Sequence, residues 1–231
     1  MTDIDDARII SMIDLTSLNE DDTEETVLAL CEKAVTPKGH VAAVCIMPAF
    51  VALAHERLEG TGVKVATVAN FPDGDPDPDA AAREVEAAMT EGADEVDVVA
   101  PWREAIEDDF GATSALVVAC AEECERLKVI LETGSHPDIT VTRLMAAYAF
   151  EAGAAFLKTS TGKHGPGASI DATRILLQVV GIQAGVKASG GIRTREQAAE
   201  YVALADRTQG APVTPDNFRI GASSLLDELL A

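Results

Sequence analysis

The chain is poor in aromatic residues and in lysine. Aromatics make up 4% of its 231 residues, with one tryptophan, while apolar residues make up 47%. A core must therefore be built from Ala, Val, Leu and Ile. No run of about 18 uncharged apolar residues exists, which argues against a membrane-spanning helix. The first ten residues, MTDIDDARII, are acidic and lack a basic region, so they do not read as a secretory signal. With neither signal, the cytoplasm is the expected compartment. There is no Cys-x-x-Cys, no HExxH, and no GxGxxG after an early strand, so a dinucleotide-binding fold has little support. Cys31, Cys45, Cys120 and Cys124 have no histidine at ligand spacing, and His40, His55, His136 and His164 are scattered. Buried free thiols are expected rather than disulfides or zinc ligands, and no metal site is evident.

Basic residues are also few. Eighteen Lys and Arg stand against 39 Asp and Glu, a net charge of −21. Such a field repels nucleic acid and anionic membrane surfaces, so neither is an expected partner. The excess reads either as an ordinary solvated surface or as adaptation to high salt, where repulsion is screened over a few ångströms. Lysines number seven against eleven arginines, and that shortage favours the high-salt reading. It also makes each remaining lysine more informative.

What is present is an alternation of β-rich runs and amphipathic helical stretches. The runs are VAAVCIM (41–47), VKVATVANF (63–71), EVDVVA (95–100), LKVILET (127–133), AFLKTST (155–161), GVKAS (185–189) and FRIGAS (218–223). They are nearly continuous in hydrophobicity, as parallel strands covered on both faces are. Seven runs are visible, and an eighth short strand is expected near Ala203 to Asp206. The pattern predicts an α/β chain forming a single (β/α)8 TIM barrel domain over residues 1–231. An open doubly wound sheet is the structural competitor. Residues 5–36 read as an extra N-terminal segment of one or two helices closing the barrel bottom. The polar DGDPDPD stretch (73–79) is a loop, with a helix following Asp79.

GADEVDVV (92–99) and GAAFLKTS (153–160) align without gaps. Each opens on a glycine suited to ending a helix at positive φ and then enters a strand. Asp97 and Lys158 fall at equivalent positions. Lys128, Ile130 and Glu132 share one parity in their strand, and Lys187 ends the next. Isolated charges in buried strands are usually ion pairs or snorkelling side chains. Three lysines and an aspartate on separate strands favour an active site. Burial and like charge are expected to depress the lysine pKa values, which makes a nucleophile able to form a Schiff base. Position alone does not choose between Lys158 and Lys187. Gly162, Gly190, Gly191 and Gly221 each follow a late strand, and serines open the helix after Gly221; together these point to a phosphate site.

These residues carry a resemblance. IDLTSLN (13–19), AAVCIMP (42–48), VATVANFPDG (65–74), GADEVDVV, KVILETG (128–134), KTSTGK (158–163), VKASGGIRT (186–194) and FRIGASSLL (218–226) together resemble the deoxyribose-phosphate aldolases, from about Ile9 to Leu230. The resemblance implies a class I aldolase needing no metal or cofactor. Its substrate is a phosphorylated sugar, 2-deoxy-D-ribose 5-phosphate, cleaved reversibly to D-glyceraldehyde 3-phosphate and acetaldehyde. Lys158 is then the Schiff-base amine, and Lys187 the neighbour that lowers its pKa. Asp97 is the acid/base acting through a water, and Lys128 positions it. Asp14, Cys45, Thr161 and Lys163 are implied pocket residues. Gly162, Gly190, Gly191, Gly221, Ser223 and Ser224 are the implied phosphate cradle. Some members of that family use a terminal tyrosine to assist protonation. The two tyrosines here, Tyr148 and Tyr201, are not near the end, so that role is expected to be absent or left to water and Asp97. Oligomeric state stays open, a homo-oligomer included. The competing readings are another phosphate-binding barrel isomerase or aldolase, and a non-catalytic acidic barrel.

Overall fold

The computed structural model describes residues 4–231; Met1 to Asp3, at the head of the acidic first stretch, lie outside the described residues. Eight parallel strands close into one barrel: β1 (Ile13–Thr16), β2 (Ala43–Ile46), β3 (Lys64–Ala69), β4 (Glu95–Val99), β5 (Leu127–Ile130), β6 (Phe156–Lys158), β7 (Gly185–Ser189) and β8 (Phe218–Ala222). Each pairs with its sequence neighbours, and β1 pairs with both β2 and β8 to complete the closure. The helices are α1 (Asp6–Ser11), α2 (Glu24–Ala34), α3 (Val51–Leu58), α4 (Pro78–Thr90), α5 (Trp102–Ile106), α6 (Phe110–Ala121), α7 (Ile139–Glu151), α8 (Ile170–Val180), α9 (Arg195–Gln209) and α10 (Leu225–Leu230). A two-residue antiparallel ladder, Val35–Thr36 with Gly39–His40, follows α2. No helix among the described residues is long and apolar enough to cross a membrane.

Local chemistry sets the element ends. Asp5, Asp77, Asp109 and Asp138 each cap a helix by accepting backbone N–H bonds, so part of the acidic excess serves helix starts. The helix after the DGDPDPD loop begins at Pro78, just behind its Asp77 cap, rather than after Asp79. Thr23 and Thr194 build reciprocal capping boxes. Gly92 and Gly153 turn from helix into strand at φ of 101° and 109°, as their place in the aligned segments requires.

All seven apolar runs contain a barrel strand. The eighth strand lies elsewhere than expected. Ala203 to Asp206 belongs to α9, where Tyr201, Val202, Leu204 and Ala205 are buried at helical spacing. The missing strand is β1, inside the segment read as wholly helical. It is four residues long with a fully buried aspartate at its second position, too short and too polar to show a strand pattern.

Along each strand one parity faces the helices and the other the barrel interior. The outward set, with Val44, Val96, Val98, Val129, Leu157, Val186 and Ile220, joins the helices in one large core. The inward set is mixed. Ala43, Cys45, Ala66, Val68 and Leu18 form a small separate apolar cluster. Phe156 occupies the end of the interior nearest the strand starts; a Cβ on Gly185 would lie 2.2 Å from its ring. Seven further inward positions are charged, Asp14, Glu95, Asp97, Lys128, Lys158, Lys187 and Arg219, and they make the site.

Candidate active site

Asp97 lies in the middle of β4, in a strand buried along its whole length. Its carboxylate receives three ammonium groups. Lys128 of β5 donates to Oδ1 at 2.8 Å, while Lys158 of β6 and Lys187 of β7 donate to Oδ2 at 2.7 and 2.8 Å. Strand register brings these together: Asp97 pairs with Lys128, and Lys158 with Lys187. The sequence-predicted quartet therefore meets at one carboxylate. Burial opposes ionisation of Asp97, but the three cations outweigh it and hold the carboxyl well below the usual carboxylate range.

Each of the deeper lysines has a second carboxylate. Lys128 lies 2.7 Å from Glu95, and Lys187 lies 2.5 Å from Asp14. Arg219 of β8 contacts both of these acids, at 2.7 Å to Asp14 and 2.9 Å to Glu95. Arg126 adds a bond to Glu95 at 3.0 Å. The expectation that clustering depresses the lysine pKa values is overturned for two of the three. Burial pushes Lys128 and Lys187 down, but adjacent carboxylates more than offset it and both are raised. Asp14 and Glu95 are lowered for the reciprocal reason, against their own burial. Like charge among the lysines is outweighed here by Asp14 and Glu95 as their counterions.

A cavity of about 330 Å³ opens at the C-terminal ends of β1, β6, β7 and β8. Lys158 is the only one of the four clustered residues in its wall, and it is 3% exposed. Thr161, Gly162, Lys163, Gly190, Gly191, Gly221 and Ser223 line it. Ser224, Asp14 and Cys45 do not reach the lining; Asp14 and Cys45 are fully buried beneath it. Cys45 Sγ stands 4.0 Å from Asp97 Oδ2, and burial raises its thiol pKa. All four cysteines are free and buried. The wall includes several residues that sequence reading did not single out, chiefly Arg193, Ser189 and the Thr16–Asn19 turn. It carries three cations, Lys158, Lys163 and Arg193, and no carboxylate, on a chain of net charge −21.

The glycine positions have steric reasons. Gly190 has φ of 93°, and a Cβ there would meet the backbone of Gly167 at 2.8 Å. A Cβ on Gly221 would meet Ser189 Oγ at 2.4 Å and Lys187 Cε at 3.2 Å. Side chains at these points would displace the loop after β6 or the lysine cluster. That loop is also held from below. Glu132, buried just past β5 with a left-handed φ of 52°, accepts from the Thr161 N–H at 3.0 Å and hydroxyl at 2.5 Å. The Lys163 N–H in turn donates to the Thr161 hydroxyl at 3.0 Å. The inward parity assigned to Lys128 and Glu132 thus ends in two buried groups, one in the strand and one in the turn after it. Tyr148 and Tyr201 sit on α7 and α9, and neither lines the cavity. Among the described residues, no group of three or more His, Cys, Asp or Glu is arranged to hold a metal ion.

A lysine facing a cationic cavity at the C-terminal face of a (β/α)8 barrel is one of several chemistries such a barrel supports. Comparison with known proteins narrows it. The family model for DeoC/LacD family aldolases matches residues 8–231. The chain belongs to that family. A crystal structure of a candidate deoxyribose-phosphate aldolase from Coccidioides immitis is 32% identical, covering 99% of this chain and 88% of its own, with a TM-score of 0.84. The tetrameric deoxyribose phosphate aldolase from Aeropyrum pernix is 29% identical over 98% of this chain and 91% of its own, at a TM-score of 0.79. The apo form of a candidate deoxyribose-phosphate aldolase from Toxoplasma gondii ME49 is 26% identical over 97% and 94%, at 0.87. The chain is therefore an aldolase, a carbon–carbon lyase on a barrel scaffold, and the non-catalytic reading is set aside.

Proposed function

We propose that this aldolase cleaves 2-deoxy-D-ribose 5-phosphate reversibly to D-glyceraldehyde 3-phosphate and acetaldehyde, with Lys158 as the covalent amine. The observation that carries the reading is the cavity wall. Of the three interior lysines only Lys158 reaches it, and its other charged residues, Lys163 and Arg193, are both cations. A cationic wall with Gly162, Gly190, Gly191, Gly221 and Ser223 presenting backbone and hydroxyl groups suits a phosphate monoester. Ser224 stands next to it at the start of α10.

In this reading Lys158 loses a proton to solvent through the cavity and attacks the C1 aldehyde. Loss of water gives a protonated imine, an electron sink at C1. The C3 hydroxyl passes its proton through a water beside Asp97 to solvent in the cavity, the C2–C3 bond breaks, and glyceraldehyde 3-phosphate leaves an enamine behind. Protonation at C2 and hydrolysis release acetaldehyde and restore the amine. Asp97 stays ionised, with Lys128 and Lys187 fixing both of its oxygens. Its part is to hold the imine nitrogen and a proton-relaying water in line, since a carboxyl held so far below its usual range is a poor resting place for the proton. Thr161 and Lys163 face the sugar hydroxyls, and Asp14 and Cys45 support the cluster from beneath. The same reading makes the protein a cofactor-free cytoplasmic enzyme of deoxynucleoside breakdown, and an assembly of several copies fits the tetrameric relative.

The test compares 2-deoxyribose 5-phosphate with 2-deoxyribose in a coupled acetaldehyde assay. The phosphorylated sugar is expected to give the larger kcat/KM by at least about two orders of magnitude, the scale of one or two charge-assisted hydrogen bonds. Arg193→Ala should erode that preference mainly through KM. No acetaldehyde from either sugar, or a product that keeps all its carbons as an isomerase would leave it, would overturn the reading.

A further inference from the structure

The interior ion pairs form a closed circuit. Arg219 contacts Glu95, Glu95 contacts Lys128, and Lys128 contacts Asp97. Asp97 contacts Lys187, Lys187 contacts Asp14, and Asp14 returns to Arg219. Cation and anion alternate around the whole ring, three of each. All six side chains are at most 3% exposed. Lys158 lies outside the ring and touches it only at Asp97. Arg126 also touches the ring, at Glu95, but its side chain is 35% exposed and faces Asp216 at 3.9 Å as well.

We infer that Arg219 and Glu95 are positioning residues for the aldol reaction: they close a charge-balanced ring that leaves Lys158 the surplus cation of the buried cluster. The reason is electrostatic. Taking a proton from Lys187 leaves buried Asp14 facing Arg219 alone, and taking one from Lys128 leaves Glu95 to Arg219 and the part-exposed Arg126; a buried carboxylate that loses a buried counterion is costly. Taking it from Lys158 leaves every ring carboxylate with both of its ring cations. The ring thus selects which of three neighbouring lysines sheds its proton and attacks a carbonyl. It also immobilises Asp97, whose two oxygens are each gripped by a ring lysine. Sequence position could not separate Lys158 from Lys187; this circuit does. The inference rests on the covalent role given to Lys158 above.

Lys158 contacts Asp97 on β4, which it shares with Lys128 on β5 and Lys187 on β7; Cys45 on β2 lies within electrostatic reach, Asp14 on β1 stands behind Lys187, and Lys163 and Arg193 lie on the cavity side. Glu132 stands under the loop after β6. Of these, the ring members are reached through Arg219 and Glu95 without touching the cavity.

The experiment measures the rate of borohydride trapping with acetaldehyde against pH, for wild type, Glu95→Gln, Arg219→Met and the double variant. Removing Glu95's charge leaves the ring positive, so the acid limb of the profile should move to lower pH. Removing Arg219's charge leaves it negative, so the limb should move to higher pH. Each shift should be about one pH unit, the effect of a unit charge several ångströms away at an effective dielectric near 20. The double variant restores balance and should return close to wild type. Simple loosening of the barrel would lower trapping in all three variants without shifts of opposite sign, and that result would overturn the inference. Circular dichroism checks folding. If Arg219→Met does not fold, Glu95→Gln and Asp14→Asn must both move the limb downward; failure of these to fold, or no movement, counts equally against it. A wild-type enzyme that traps no acetaldehyde would instead remove the covalent role of Lys158, and this inference with it.

Discussion

Replacing Asp97 with asparagine keeps the side-chain shape and removes one charge. In the native protein that charge is fully buried and faces Lys128, Lys158 and Lys187. The variant leaves three buried ammonium groups with only Asp14 and Glu95 close by. Removing one partner of a buried ion pair costs about 3–5 kcal/mol. That is a large share of the roughly 5–15 kcal/mol that holds a domain folded. The pH dependence has a definite sign. Asp97 is held well below its ordinary value when folded, so its stabilisation is present above the unfolded value and is lost as pH falls through the folded one. The wild-type advantage over Asp97→Asn should therefore be full from about pH 5 upward and shrink in acid. It should shrink again above about pH 10, where lysines in the variant can shed charge. Urea unfolding of both proteins across this range measures it. A gap below about 1 kcal/mol at pH 7, or one that stays constant down to about pH 3, would refute the reasoning.

Other perturbations reach the same site from different sides. Gly221→Ala places a Cβ against Ser189 and Lys187, so a loss of about 1–3 kcal/mol and a lower kcat are expected from thermal unfolding and steady-state kinetics. Unchanged values would mean that the contact relaxes freely. Glu132→Ala removes the acceptor of both Thr161 bonds, at a cost of about 1–3 kcal/mol, and should raise KM more than it lowers kcat because Thr161, Gly162 and Lys163 line the cavity. A kcat effect alone would contradict a loop-holding role. For the surface, raising salt from about 0.1 M to about 1 M shortens screening from ~10 Å to ~3 Å and should raise Tm, given a net charge of −21. A Tm that is flat across that range would contradict self-repulsion as a destabilising force.

The barrel was legible because β2 to β8 are runs of Val, Ile and Ala bounded by helical stretches. The first strand was not, since IDLT offers only four residues and one of them is a buried aspartate. Its signal lies in tertiary pairing with β2 and β8, which no local window contains. Within the site, Asp97 and Lys158 were found through aligned glycine-led segments, and Lys128 and Lys187 through charge in apolar strands. Glu95 shares Asp97's parity two residues earlier and could have been found by the same rule. Arg219 and Asp14 become meaningful only once β8 and β1 stand side by side. Without those acids the lysines looked like mutually repelling cations, and the direction assigned to Lys128 and Lys187 came out reversed. Arg193 sits in a loop, where sequence pattern gives no parity to read.

The most direct measurement is peptide mass mapping after incubation with acetaldehyde and borohydride. A two-carbon adduct on Lys158, with Lys187, Lys128 and Lys163 unmodified, is the expected result. An adduct on Lys187 would reassign the nucleophile to a residue that does not reach the cavity wall, and no adduct on any lysine would contradict covalent catalysis altogether.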